Sequence, residues 1–364
     1  MNQRDLVLNA GYGGAVDRIP VTPYMGNFGA RVAGVPIDRY CSDSETLASA
    51  QLAAQKVVGQ DALVAQSDGY YMAEGLGMET YSRPGTTPAP RRWPIEDLAQ
   101  IDSLRVPDPN TAGRMPVFLG AIKRMRAEVG DDLAIRPCGT GAFSLAGHML
   151  GPENFVMAIA LLSIEPDPEA ERRLRSLMEI CTETTIAFSL AALEAGADIV
   201  VDADSLASLD MISPEIYESW VWPYERTYFE GVTPKAKERG ALTLLHICGN
   251  TTPILPLMAQ TGTQILELDW KVDLADARRF VDDNSLNSPG DAPPAIMGNL
   301  DPSAVLLQGT PADIRSACLA AMRKGVRSLE GSAIGTSFYL GSGCEVTPDT
   351  PPANIQAMVQ SASM

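Results

Sequence analysis

Histidine is almost missing from this chain: 364 residues contain two, His148 and His246. Aromatic residues are sparse at 6%, and 28 Lys and Arg face 45 Asp and Glu for a formal net charge of −17. So acidic a surface repels phosphate backbones and anionic lipid, which excludes nucleic acid and membrane surfaces as partners and leaves small molecules or a basic or neutral protein. No uninterrupted apolar run approaches the roughly 18 to 20 residues that span a bilayer. The opening Met1-Asn2-Gln3-Arg4-Asp5 also lacks the apolar stretch of a secretion signal. The expectation is a soluble, cytoplasmic protein. In a reducing compartment the six cysteines, scattered at 41, 138, 181, 248, 318 and 344, form no disulfide framework. They are packing residues, metal ligands or nucleophiles. No Gly-x-x-x-x-Gly-Lys loop or dinucleotide fingerprint is present.

What is present is an apolar fraction of 45%, enough to bury a full core in a chain of this length. Short apolar runs rich in branched residues alternate with longer stretches of helical period. From Asp167 to Glu194, Leu174, Leu177, Met178, Cys181 and Phe188 recur at helical spacing, and Gly196 supplies the stop. Ile199-Val200-Val201 then reads as a buried strand, with Ser213-Pro214 as the cap and first-turn proline of the next helix. The cadence repeats with strands near Leu242–Leu245, Ile265–Leu268, Ala295–Met297 and Phe338–Leu340, whose helices begin near Thr252, Asp273, Pro311 and Pro352. Upstream, Ile19–Tyr24, Ala62–Ala65 and Leu133–Arg136 also read as strands, the last two separated by a Pro- and Arg-containing excursion through Pro84–Pro107. Eight strands alternating with helices predict a (β/α)8 TIM barrel, a single domain over residues 1–364 with insertions at the N-terminus and between the second and third strands. A doubly wound open sheet is the alternative. Asp283–Pro294 reads as a loop within the domain.

In such a barrel the chemistry sits where strands end. His246-Ile247-Cys248-Gly249-Asn250 follows the strand Leu242–Leu245, and an i, i+2 spacing at a strand end aims an imidazole and a thiol the same way. Gly341-Ser342-Gly343-Cys344-Glu345 ends the last strand, at the same mouth. His246, Cys248 and Cys344 match a zinc site of two thiolates and one imidazole with an open fourth position; the competing reading is a hydrogen-bonded histidine beside buried cysteines. Asp68, Asp202, Asp204 and Asp301 also sit at strand ends, as acid/base or orienting carboxylates or as helix caps. The first three are assigned to catalysis. Tyr24, Asn27, Phe28, Tyr70 and Tyr71, with Asn299, are assigned to substrate binding. His148 lies in Ala146-Gly147-His148-Met149-Leu150-Gly151, where Ala146 replaces the aspartate of an Asp-x-His-x-x-Gly cobalamin motif. It reads as structural, as do Cys41, Cys138, Cys181 and Cys318.

The stretches His246-Ile247-Cys248-Gly249-Asn250-Thr251-Thr252, Gly298-Asn299-Leu300-Asp301-Pro302, Gly309-Thr310-Pro311 and Gly343-Cys344-Glu345-Val346-Thr347-Pro348-Asp349-Thr350-Pro351 resemble the uroporphyrinogen decarboxylase superfamily, specifically its corrinoid-dependent methyltransferase branch. The resemblance runs from about residue 18 to 360. It implies a barrel, zinc on His246, Cys248 and Cys344, and methyl transfer to or from cobalt. With no cobalamin motif here, the corrinoid would arrive on a separate protein. The small substrate would be a thiol that accepts the methyl group or a methyl ether that gives it, and Tyr24, Phe28, Tyr70 and Tyr71 tilt the reading toward an aromatic ether. The decarboxylase branch carries an Arg-Gln-Ala-Gly-Arg clamp for a polycarboxylate porphyrinogen. This chain has Tyr24-Met25-Gly26-Asn27-Phe28-Gly29-Ala30-Arg31 there, with at most Arg31 left of it, so porphyrinogen decarboxylation through Asp68 is the alternative. A third reading is a non-catalytic binding subunit of the corrinoid complex. Assembly into a homo-oligomer is compatible with all three.

Overall fold

The computed structural model describes residues 1–137, 139–283, 293–327 and 337–363. Its strands are β1 (Ala62–Ala65), β2 (Thr80–Tyr81), β3 (Ala89–Pro90), β4 (Ala134–Pro137), β5 (Ile199–Ala203), β6 (Leu242–Ile247), β7 (Ile265–Leu268), β8 (Ala295–Leu300) and β9 (Phe338–Ser342). β1 pairs with β4, and β5 to β9 form a sequentially ordered sheet, all parallel and connected through helices. This is an α/β fold. The excursion between β1 and β4 is not featureless: it holds the antiparallel β2–β3 pair and a 3-10 turn over Leu98–Ser103.

The run Ile19–Tyr24 contributes an isolated bridge in place of a full strand. Val21 bridges Leu340, the Thr22 N–H donates to the Leu340 carbonyl at 2.9 Å, and the Asp61 N–H donates to the Val21 carbonyl at 2.9 Å on the other side. Pro20 and Pro23 have no N–H to give, which keeps the ladder short. Between the two parallel sheets, the Asp198 N–H donates to the Ile135 carbonyl at 2.8 Å and the Gly141 N–H to the Ala203 carbonyl at 2.7 Å.

Strand alternation sorts the apolar residues into two cores. Val64, Ile199, Val201, Leu242, Leu244, Ile265, Met297 and Tyr339 form the inner one, closed at one end by Leu6, Val7 and Ala10 of the helix Gln3–Gly11. Leu63, Ile135, Val200, Leu245, Ile247, Leu266, Leu268 and Leu340 face the helices in the outer one. Tyr339 ties the first helix down by donating to the Val7 carbonyl at 2.6 Å. Cys41, Cys181 and Cys318 are buried packing residues, as expected. Cys138 and most of the loop expected over Asp283–Pro294 fall outside the described residues.

Several strands run further than their apolar cores suggested. β6 continues through Ile247, because His246 still pairs with Glu267, and β8 and β9 continue to pair at Asn299–Gly341 and Leu300–Ser342. The motif residues are therefore held partly by rigid ladder rather than by loop. The helix Pro168–Ala195 starts as expected, with Asp167 accepting from the Glu169 and Ala170 N–H groups. Among the described helices it alone is long and apolar enough to cross a bilayer, and most of that stretch is buried inside the protein. Two helices that periodicity did not reveal, Ala142–Leu150 and Pro152–Leu162, precede it with a 105° bend between them at Gly151.

Candidate metal centre

β6 ends on His246 and Ile247, and Cys248 follows directly; β9 ends on Ser342, two residues before Cys344. The parallel sheet thus brings residues almost a hundred positions apart to the same end of two strands, with β7 and β8 between them. His246 Nε2 lies 3.3 Å from Cys248 Sγ, Cys248 Sγ lies 3.7 Å from Cys344 Sγ, and the three donor atoms are all within 4.8 Å of one another. In a tetrahedron with zinc–sulfur bonds of about 2.3 Å, two sulfurs sit about 3.8 Å apart. Cys248 and Cys344 stand at the spacing of two zinc-bound sulfurs, and two thiols with an imidazole are a donor set that zinc takes.

Two glycines make the convergence sterically feasible. Gly249 turns the chain away from Cys248 at φ +84°, and a Cβ there would stand 2.4 Å from Ser208 Oγ. At Gly343 a Cβ would stand 2.4 Å from the Trp270 nitrogen.

The electrostatics around the donors are strongly coupled. A hydrogen bond with Cys344 pulls the Cys248 thiol down and pushes that of Cys344 up, with the charge of His246 adding to the depression at Cys248. Burial alone would lower His246, but the neighbouring Cys248 charge and Glu267 win and raise it to about 9. His246 Nδ1 stands 3.1 Å from the Glu267 carbonyl oxygen and 3.5 Å from its carboxylate. An Nδ1–H directed there makes Nε2 the nitrogen that would turn a lone pair on a metal once the ring is neutral. Glu267 is in turn gripped by Arg136 at 2.7 and 2.9 Å, both side chains fully buried, and Tyr24 lies over the Arg136 guanidinium at 5.3 Å. Sequence reasoning missed Arg136 and Glu267. The available signal was a charged residue inside each of two apolar strands, Ala134-Ile135-Arg136-Pro137 and Ile265-Leu266-Glu267-Leu268.

The other nominated residues divide. Asp68 is at the mouth but committed: it accepts two hydrogen bonds of 2.8 Å from Arg114 and one of 2.6 Å from Ser67, and Arg114 also holds Glu74. Asn27 donates to the Ser67 carbonyl at 2.6 Å, and its N–H donates at 3.0 Å to Glu345, whose carboxyl burial pushes up to about 7. Glu345, next to Cys344, is a second group that sequence reasoning left unassigned. Tyr70 is half-buried and stacks on His148 with ring centroids 4.8 Å apart. Burial lowers His148 to about 4, which fits its structural reading.

Phe28 and Tyr71 are corrected to packing residues. Both are fully buried, and Tyr71 packs against Phe118 and Phe188. Asn299, assigned to substrate binding, also fixes a loop: its amide donates to the Asp269 and Val272 carbonyls at 2.9 and 2.7 Å, holding the loop that Gly343 abuts. Asp204 caps the helix Ala142–Leu150, accepting from the Phe143 and Ser144 N–H groups at 2.9 and 2.8 Å and from Ser144 Oγ at 2.6 Å. Asp301 likewise caps the turn after β8. Asp202 is corrected for phase: Val201 and Ala203 face the inner core, so Asp202 points the other way. It lies buried in the electrostatic reach of Glu225 and Asp204, with Tyr217 donating to Glu225 at 2.5 Å.

A methylcobamide:CoM methyltransferase, MtbA, of Methanosarcina mazei is 31% identical over 323 residues, covering 88% of this chain and 85% of that protein. A solved methyltransferase from Methanosarcina mazei superposes with a TM-score of 0.83 at 26% identity, covering all of this chain and 98% of its own. A uroporphyrinogen decarboxylase of Trichlorobacter lovleyi is 26% identical over 99% of this chain and 97% of its own. The family model for uroporphyrinogen decarboxylase (URO-D) matches residues 2–363, and the chain belongs to that family.

Proposed function

We propose that the chain is the zinc-carrying methyltransferase component of a corrinoid-protein system, and that it moves a methyl group between a small thiol and the cobalt borne by a separate corrinoid protein. The observation that carries this reading is the convergence of His246, Cys248 and Cys344 at one end of the parallel strands. Bound to these donors, zinc supplies positive charge that keeps a substrate thiol in its nucleophilic thiolate form at neutral pH. The chain's own residues do the rest. Glu267 fixes the proton of His246 on Nδ1, Arg136 neutralises Glu267, Arg114 holds Asp68 in place, and Asn27 donates to Glu345 beside Cys344. With Phe28 and Tyr71 spent in the core, the case for an aromatic methyl ether rests on Tyr24 and Tyr70 alone, while similarity to methylcobamide:CoM and methylated-thiol–coenzyme M methyltransferases favours a thiol.

The same reading takes residues 1–364 as one closed (β/α)8 barrel. The backbone N–H groups of Asp61, Thr22, Asp198 and Gly141, which donate to the carbonyls of Val21, Leu340, Ile135 and Ala203, support joining both sheets into one ring, with the first helix and the β1–β4 excursion as insertions. Thiols as close as Cys248 and Cys344 need a reducing compartment to stay ligands, which supports a cytoplasmic location. Porphyrinogen decarboxylation is disfavoured by the missing clamp: Arg31 lies at the surface, paired with Asp349 at 3.2 Å.

The test is purification without chelator, followed by metal analysis and transfer from methylcobalamin to a small thiol. Stoichiometric zinc and thioether formation lost on chelation are expected. Metal-free protein that releases carbon dioxide from uroporphyrinogen would overturn the reading.

A further inference from the structure

The turn that follows β5 is pinned against the metal centre from several sides. The Asp204 N–H donates to the His246 carbonyl at 2.9 Å, continuing the β5–β6 ladder, while the Asp204 carboxylate grips the helix Ala142–Leu150. The Leu206 N–H donates to Ser144 Oγ of the same helix at 2.8 Å, and the Ala207 N–H to the Asp204 carbonyl at 3.1 Å. Ser208 closes the turn beside Gly249, where a Cβ would stand 2.4 Å from its Oγ. Ser205, between Asp204 and Leu206, is therefore held in place by its neighbours although it lies at the surface. Its Oγ stands 3.6 Å from Cys248 Sγ, within hydrogen-bonding distance for sulfur. As a metal ligand Cys248 is a thiolate with no proton to give, so the hydroxyl of Ser205 is the donor.

We propose that Ser205 steers the methyl group to the substrate by quieting Cys248. The inference rests on the methyl-transfer reading above and adds what keeps the enzyme from methylating itself. With a thiol bound, the sulfurs of Cys248, Cys344 and the substrate share one metal. Each has a lone pair able to attack the methyl carbon while the bonding electrons stay on cobalt. Cys248 is only partly buried, so a small methyl donor has access to it. A hydrogen bond to a thiolate draws electron density from the lone pairs that would attack, and the sulfur that accepts one is the poorer nucleophile. Ser205 acts in this way through Cys248 and takes no part in the methyl path itself. The cap that Asp204 places on the helix Ala142–Leu150 is what keeps its hydroxyl beside the sulfur.

The test exposes zinc-loaded protein to methyl iodide, a donor that needs no partner protein. A sulfur lone pair displaces iodide, and peptide mass spectrometry reads S-methylcysteine at each cysteine separately. Ser205→Ala is expected to speed methylation of Cys248 by about fivefold or more, the worth of part of one hydrogen bond to a charged sulfur, with Cys344 at its wild-type rate. Ser205→Thr keeps the hydroxyl and should behave as wild type. With cobalt(II) in place of zinc, the sulfur-to-metal charge-transfer band of Ser205→Ala should move to longer wavelength, a shift that a merely structural role would not produce. Equal Cys248 rates in wild type and Ser205→Ala overturn the proposal, as does a rise shared by Cys344, the mark of a loosened metal. Zinc-loaded wild type that forms no thioether from methylcobalamin and a small thiol overturns the methyl-transfer reading itself, whatever the variants show with methyl iodide.

Discussion

Glu267 approaches His246 twice, with its backbone carbonyl 3.1 Å and its carboxylate 3.5 Å from Nδ1, while Nε2 on the far side of the ring lies 3.3 Å from Cys248 Sγ. One residue of β7 thereby sets both the tautomer and the tilt of the proposed zinc ligand on β6. Substituting Glu267→Gln keeps the carbonyl contact and the volume but removes the charge. Zinc affinity is expected to fall about 10–100-fold, as for other outer-sphere partners of a histidine ligand. Competition against a chromophoric chelator measures it, and unchanged affinity would show that the carboxylate has no part in orienting the imidazole.

Arg136 and Glu267 are a buried ion pair, so removing one partner strands the other. Arg136→Met should destabilise the protein by about 3–5 kcal/mol, whereas Arg136→Met combined with Glu267→Leu should recover much of that loss, because no uncompensated charge remains. Urea unfolding of the two variants decides it; equal destabilisation would mean that the guanidinium acts through packing alone.

The convergence of His246, Cys248 and Cys344 was legible because their local context is compressed into two short motifs at strand ends, and strand order supplied the rest. Arg136 and Glu267 were harder to read, since a charge inside an apolar strand has meaning only once its partner across the inner core is known. Asp202 was misread because nominating strand-end carboxylates ignores period-two alternation, which assigns Asp202 to the opposite face from Val201 and Ala203. Asp204 is assigned to catalysis by the same strand-end argument, with capping of the following helix as the competing reading, whereas it caps Ala142–Leu150, a helix earlier in the chain that its neighbours gave no means to foresee. The short bridging segment at Val21 shows the same limit: apolar composition marked it, and two prolines decided how little of it could pair.

Cys248→Ala and Cys344→Ala should each abolish zinc binding with little change in global stability, because both thiols sit at the strand ends and outside the two apolar cores. Metal analysis and circular dichroism on the same samples check this together. Loss of the folded signal in both variants would mean that the site holds the fold rather than the substrate.

Asp204 receives two backbone N–H groups and one hydroxyl from the helix Ala142–Leu150, all buried. Asp204→Ala leaves those donors unsatisfied and should lower stability by about 1–3 kcal/mol. Methyl transfer per folded molecule should persist. A variant of native stability with no activity would restore the catalytic role that the capping geometry argues against.

Asp202 and Glu225 make stability fall with pH. Burial, and then Asp204, raises the Asp202 carboxyl well above its ordinary value, and burial followed by Asp202 does the same to Glu225. In the unfolded chain such groups lose their protons near about pH 4. Below that both states are protonated and the pair costs nothing. As pH rises toward the folded-state values, the unfolded chain binds fewer protons than the folded one, so the unfolding free energy declines across that window. Asp202→Asn cannot ionise and loses its share of this slope. The variant should match wild type near pH 4 and exceed it at pH 8 in urea midpoint. Curves that stay parallel over the whole range would show that Asp202 is as ionised in the folded protein as in water.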